Sequence, residues 1–362
     1  MTFIHQRPHA IAFIWSIVGG VIPFIILAII PQIPNSVTNW RSIYLFWAIP
    51  SGISVLLAVF FFPETYFLRP AVAFDGRIFA QTATEKIHIY EGWEEVPGGK
   101  ALPDKPETSI VESRLKVWGK TSGGWKAMWA CYPQILLCFC NPLIFWIALL
   151  NAVVLGGVMS ISETFVTLLS SEPYALPIQI IGLLHVSAAL GSLLAWPASG
   201  IMVTSISRRL AMRNSGVRDA EHYLPAFALP ILGAVISAIL YGLTAQYKWH
   251  WIWVYVVAAF NSFGFGGLST ANTLWVTEAF PRWAAPALVV VGGGSYVVSF
   301  GTSYLIIPWL ESQGYLKTNI EIGIIILAIG GIAVPVSFWG KSLRQFIHGK
   351  WGMSAAGALR PQ

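Results

Sequence analysis

His185, Asn261 and Asn272 carry the chemistry that stands out in this chain, because each falls inside a long apolar stretch where a polar side chain is costly. An imidazole at such depth gains or loses a proton near neutral pH, so His185 is a candidate proton or substrate contact; the bland alternative is a hydrogen-bonded packing residue. His185, Ser192 and Ser199 recur every seven residues and stay on one helix face, drifting by about 20° per step. Asn261 and Asn272 share a face with Phe265, Leu268 and Trp275. Gly292, Ser295, Ser299 and Ser303 form a small polar stripe, with Tyr296, Phe300 and Tyr304 as an aromatic one beside it. Asn151 is expected two-thirds of the way across a stretch from Pro133 to Gly157. Amides, hydroxyls and aromatic rings without fixed charge suit a neutral or weakly polar small molecule. Asn151, His185, Asn261, Asn272, Ser295, Tyr296 and Ser299 are therefore the expected substrate path. The competing use of a Ser and Gly stripe is to let two helices approach closely.

Other chemistry finds no foothold. The sequence has no complete phosphate-cradling loop of the form GxxxxGK[S/T], no HExxH, no GxSxG and no intramembrane Asp pair, so hydrolysis and an ATP motor are not expected, and neither is an enzyme. Glu163, Glu278, Glu311 and Glu321 stand at the ends of apolar stretches or in loops. Cys131, Cys138 and Cys140 are expected at or within the third stretch as ordinary buried thiols, without acidic or His neighbours at ligand spacing. No metal or other cofactor is expected.

The elements that must position these groups are eight apolar stretches: Ala10 to Ile30, Ile43 to Phe62, Pro133 to Gly157, Pro177 to Ser205, Leu224 to Ala245, Trp251 to Thr277, Ala284 to Pro308 and Ile320 to Gly340. Each is long enough, at 1.5 Å per residue, to cross a hydrocarbon core of roughly 30 Å. A composition of 56% hydrophobic and 10% charged residues, with mean hydropathy +0.65, would leave a water-soluble fold unable to cover its apolar surface. The chain therefore reads as an all-α polytopic helix bundle whose main partner is the lipid bilayer. If the loops alternate sides, only Arg41, Lys248 and Lys317 of the 22 Lys and Arg fall on one side, which predicts cytosolic termini. The net charge of +6 then reports orientation, and no nucleic acid need be invoked.

One long polar segment divides the stretches into two and six. Within it "YEGWEEVPGGKALPDKPET" reads as an extended or disordered linker, and "SIVESRLKVWGKTSGGWKAMWACY" as a short helix at the cytosolic interface. The final stretch has no polar side chain across its middle, and Ala226 to Tyr241 carries only Ser237 before its Tyr, as lipid-facing helices should.

Six helices after a long loop, together with "NWRSIYLFWAIPSGISVLLAVFFFPETYFLRP", "LAWPASGIMVTSISRRLAMRNSGVRDAEHYLPA", "TLWVTEAFPRWAAPALVVV" and "SFGTSYLIIPWLESQGY", resemble fungal members of the major facilitator superfamily, in the drug:proton antiporter group. The resemblance covers nearly the whole chain. It implies residues 1–66 as the last two helices of an N-terminal half, 67–131 as a cytosolic linker, 132–345 as a C-terminal six-helix half and 346–362 as a tail. It also implies a cytosolic gate or charge network of Arg208, Arg209, Glu221, Glu278 and Arg282, with Glu278 pairing Arg282 four residues on. The family's first four helices are not matched, and where a Ser-Asp is expected the chain reads Ala198-Ser199-Gly200.

The function implied is secondary transport of a small organic molecule, most readily export of a drug-like compound or secondary metabolite across the plasma membrane, with protons as a candidate coupling ion. Two alternatives stand beside it. One is a non-transporting remnant or incomplete gene model of a twelve-span transporter, for which a homodimer would rebuild an eight-plus-eight assembly. The other is uptake of a small nutrient such as a polyamine.

Overall fold

The computed structural model describes residues 7–33, 40–61, 78–81, 87–91, 95, 124–213, 219–280 and 283–351. They form two compact units, one of residues 1–36 and 134–342 and the other of 37–133 and 343–362.

The larger unit begins with α1, Arg7–Gln32, which widens to a π-helix over Ile14–Val21. Pro23 explains part of this: it lacks the N–H that would close an ordinary turn onto Gly19, so the local backbone pairs one residue further along. α4, Pro142–Ser170, starts where the Asn141 side chain accepts from the Leu143 N–H at 2.9 Å, with Pro142 in the first turn, where a missing donor costs nothing. α5, Ile178–Arg213, bends at Leu183; α6, Ala220–Tyr247, opens as a 3₁₀ turn capped by Asp219 and His222; and α7 covers Ile252–Ala279.

α8, Ala284–Gly331, is two crossings in one element. At 48 residues it would be about 72 Å long if straight, more than twice a hydrocarbon core. It folds back at Gly314, whose φ of 80° and ψ of 166° are open to glycine alone, giving an outgoing arm (284–313) and a return arm (315–331). α9, Ala333–Trp351, continues the return arm.

Six stretches of the described residues are long and apolar enough to cross a membrane, the last being the folded Ala284–Ile347. The chain is an integral, multi-pass membrane helix bundle. α5 packs on α1 and α7, α6 on α7 and on the return arm of α8, and α4 on both arms. Small residues allow the approach: a Cβ on Gly191 would lie 2.0 Å from the Ala259 carbonyl oxygen, and one on Gly20 would lie 2.5 Å from Ser192 Oγ.

The second unit contains α2, Trp40–Phe61, and an antiparallel pair, β1 (Ile78–Gln81) with β2 (Ile87–Tyr90), in register Ile78 to Tyr90. The strand pair lies in the linker that the sequence marks only as polar. α3, Gly124–Phe139, takes up the end of the expected interfacial helix, whose residues 109–123 lie outside the described set.

The third expected stretch needs correction. Its helix does not run from Pro133 to Gly157: α3 ends at Phe139, Cys140 sits in the break, and the crossing helix is α4. Cys131 and Cys138 therefore belong to α3, and of the three only Cys138 is buried. Asn151 lies about one-third of the way along α4, nearer the Asn141 end. The apolar run on either side hid the boundary, which is set by Asn141 and Pro142 within it.

Candidate functional site

Asn151 joins three helices. Its Nδ2 donates to Ser295 Oγ on the outgoing arm of α8 at 2.9 Å, and its Oδ1 accepts from Asn272 Nδ2 on α7 at 3.0 Å. A weaker contact of 3.4 Å runs from Asn151 Nδ2 to the Val291 carbonyl. All three side chains are buried. Ser295 spends its single donor on the Gly292 carbonyl at 2.7 Å, which leaves its lone pairs for Asn151. Among the described residues the chain ends on an acceptor with nothing to accept: Asn272 Oδ1 is buried and has no partner there, nor has the donor Trp275 Nε1 one turn further on. An uncharged, partly satisfied cluster of this kind can exchange hydrogen bonds with a polar guest or a water.

The remaining path residues do not converge on that cluster as one group. Ser299 is buried on the same stripe as Ser295 and bonds the Tyr296 carbonyl at 3.0 Å, whereas Tyr296 points outward and is 62% exposed. Asn261 is buried on α7 and makes no hydrogen bond among the described residues. His185 is half-buried on α5, stacked on Phe24 of α1 (centroids 6.1 Å, 15°) and edge-on to Phe165 of α4 (5.8 Å, 85°), and its Nδ1 has no partner among the described residues. The seven-residue face it begins serves packing further along: Ser192 meets Gly20, and Ser199 lies 3.2 Å from where a Cβ on Gly267 would be. An apolar crevice of about 140 Å³ between α4 and the arms of α8, lined by Gly156, Gly157, Thr302 and Ile322, is too small for a drug-sized guest.

At the end of the bundle where α1 begins and α7 stops, Arg7 Nη1 donates to Glu278 Oε1. Arg282, the partner expected from helical spacing, lies outside the described residues. Arg208 and Arg209 are exposed and form no ion pair among the described residues, and Glu221 packs beside Gly340. A further ion pair joins Lys341 to Asp219, at 2.9 and 3.0 Å to its two oxygens. Asp219 also caps α6. Trp15 completes the docking of α1 by donating to Thr273 Oγ1 on α7 at 2.9 Å. Neither Arg7 nor Trp15 is marked by local spacing, because both contacts cross more than 250 residues. Among the described residues no three His, Cys, Asp or Glu come together as metal ligands would.

This is a bundle of antiparallel apolar helices with an uncharged polar interior and ionic contacts at one end. The sequence model of the Major Facilitator Superfamily matches residues 4–302. The chain belongs to the Major Facilitator Superfamily. Members of this family are transporters rather than enzymes. The chain is similar to the MFS transporter cpaT of Aspergillus oryzae, 24% identical over 311 residues, which are 84% of this chain and 56% of that protein. It is similar to the efflux pump radE of Floropilus chiversii, 22% identical over 349 residues, 95% of this chain and 59% of the pump. The efflux pump vrtL of Penicillium aethiopicum is 27% identical over 229 residues, covering 61% and 44%. The chain spans less than two thirds of the length of the curated relatives it matches. No solved structure matches it.

Proposed function

We propose that this facilitator chain takes part in secondary transport of a small, neutral or weakly polar organic molecule, and that the direction is export. The observation that carries the reading is the buried Asn151–Asn272–Ser295 cluster, which ties three helices together without a charge and leaves Asn272 Oδ1 free for a guest. Helices that move against one another around a midplane site need polar contacts that can be remade, and amides do this at lower cost than ions. The efflux-pump names of two relatives favour export over uptake. In this reading residues 1–66 belong to an N-terminal half, 132–345 form the C-terminal half and the linker between them is cytosolic. The ionic end of the bundle, with Arg7, Glu278, Asp219 and Lys341, then faces the cytosol, and the membrane is the plasma membrane. His185, set between two rings at the other end of α5, is the group on which proton coupling would act.

Export is tested in a yeast strain stripped of its own efflux pumps, with intracellular retention of a panel of apolar fluorescent compounds as the readout. Expression of the chain is expected to lower retention of at least one compound. Asn261→Ala and His185→Ala are each expected to reduce that effect at equal membrane abundance. Unchanged retention in both variants removes the site assignment, and no effect of the parent chain on any compound removes export.

A further inference from the structure

α5 is longer than a bilayer core requires: its 36 residues, Ile178–Arg213, would extend about 54 Å, and the last turns carry Arg208, Arg209, Met212 and Arg213, all exposed. These four fall within about 140° of the helix, opposite Val203, Ser207 and Ala211, which are buried against the bundle. Beside them opens a groove of about 420 Å³ lined by Ile206, Arg209, Leu210, Met212 and Arg213. Arg208 is not among its described lining residues. Inward from this patch the exposed stripe of α5 is Leu190, Leu194, Pro197 and Ile201, apolar throughout.

The arginines have no counter-ion in the fold. α5 contains no Asp or Glu, and where the family resemblance expects an acid the chain reads Ala198-Ser199-Gly200. The acids nearby are engaged elsewhere: Glu278 with Arg7, Asp219 with Lys341, and Glu221 beside Gly340. Arg208, Arg209 and Arg213 form no ion pair or hydrogen bond among the described residues. Complementing the negative end of the helix dipole would use Arg213 alone, the basic residue of the last turn. A rim of solvated arginines also needs no apolar groove.

The depth of the patch narrows the choice of anion. α5 and α7 run in the same direction, since Ser187 bonds the Tyr255 carbonyl, Gly191 faces Ala259 and Ser199 lies by Gly267. Arg209 is ten residues beyond Ser199 and Glu278 eleven beyond Gly267, about 15 and 17 Å, so Arg209 stands at the level of the Arg7–Glu278 pair, where the polar boundary begins. Ile206 lies about 5 Å inward of it and Arg213 about 6 Å outward. A guest held here meets two guanidinium forks at the headgroup level and an apolar wall that continues toward the hydrocarbon. We propose that this groove is a site for one anionic phospholipid of the adjoining leaflet, its phosphate held by Arg209 and Arg213 and the start of an acyl chain laid on Ile206, Leu210 and Met212. Guanidinium suits this use because its fork matches phosphate oxygens in pairs, and the lipid supplies the negative charge that α5 lacks.

The test is native mass spectrometry of the full chain in a neutral detergent, titrated with dioleoylphosphatidic acid or, as the uncharged control, dioleoylphosphatidylcholine. One molecule of the acid is expected to bind at least about tenfold more tightly than the choline lipid, as charge-assisted hydrogen bonds would give. Arg209→Gln and Arg213→Gln are each expected to weaken it about tenfold, Met212→Gln about threefold, and Arg208→Gln less than about twofold. Arg208→Gln removes the same charge one residue away, so equal losses at all three arginines mean a diffuse positive field and overturn the site. All four side chains are exposed, and thermal midpoints are expected to match the parent; a variant that unfolds is replaced by the conservative Arg209→Lys, which keeps the charge, loses the fork and is expected to weaken binding about threefold. Equal affinity for the two lipids overturns the proposal. So does displacement of the bound lipid by inorganic phosphate at equal concentration, which would make the groove a site for free anions.

Discussion

The seam between α5 and α7 and the outgoing arm of α8 use glycine for opposite ends. In the seam, Gly191 faces the Ala259 backbone so closely that a Cβ would lie 2.0 Å from its carbonyl oxygen, and on α7's other side a Cβ on Gly264 would lie 2.8 Å from the Ala234 nitrogen. In the arm, three consecutive glycines face open space. Without a hydrophobic drive between helices in lipid, association depends on close contact, and the seam is where this bundle achieves it. The difference shows that a glycine's meaning is set by what opposes it: Ala259 and Ala234 accept close approach, whereas the run at 292–294 is opposed by nothing among the described residues.

The strongest way to break the comparison is to add one methyl group in each place. Gly191→Ala is expected to destabilise the bundle by about 2 to 3 kcal/mol, because the obstacle is backbone and cannot turn aside. Gly293→Ala is expected to change stability in the opposite direction, by about 0.5 to 1 kcal/mol, since alanine loses less freedom in a helix. SDS-titration midpoints of the purified protein measure both. A neutral Gly191→Ala or a damaging Gly293→Ala would abolish the distinction.

A smaller effect is expected where the closed face of the arm meets α4. Asn151→Ala leaves Asn272 Nδ2 without an acceptor and Ser295 without its donor, at a cost of about 1 to 2 kcal/mol. A double-mutant cycle of Asn151→Ala with Asn272→Ala is expected to give a coupling energy of about 0.6 to 1.5 kcal/mol by the same titration. Ser303→Ala, which loses only a 3.2 Å bond to the Ser299 carbonyl, is expected to be near neutral. A cycle that sums to zero would mean that the two amides share a neighbourhood and no bond.

The apolar periods made the bundle legible in the sequence, because a run of about 20 apolar residues has few other uses. Boundaries were less so: Asn141 and Pro142 sit inside an apolar region, and only their capping geometry reveals that α3 and α4 are separate helices. The polar interior was legible as residue types. Placement of Asn151, Asn272 and Ser295 in one cluster was not, because those contacts join positions more than 100 apart and depend on helix rotations that a face pattern alone does not give. The stripe at Gly292, Ser295, Ser299 and Ser303 shows the limit well. Its serines bond carbonyls of their own helix and Ser295 also meets Asn151, while the glycine at its head meets nothing within 4 Å among the described residues. The ion pair at the start of α1 was hidden for the same reason, since Glu278 offered a local partner at helical spacing and the structure gives it a distant one.

That ion pair should matter least. The side chains of Arg7 and Glu278 are 35% and 28% exposed, so water and salt screen their attraction, and about 0 to 1 kcal/mol is the expected loss in Arg7→Gln. α1 has better anchors: the Gly20 contact with Ser192, the close fit of Gly182 to Pro31, and the Trp15 bond to Thr273. The difference between parent and Arg7→Gln should therefore vanish in concentrated salt, and the exchange Arg7→Glu with Glu278→Arg should restore the parent midpoint. A loss well above 1 kcal/mol that persists in salt would place the attachment of α1 in its charges, and the contacts of Gly20, Gly182 and Trp15 would then no longer be what holds the first helix to the bundle.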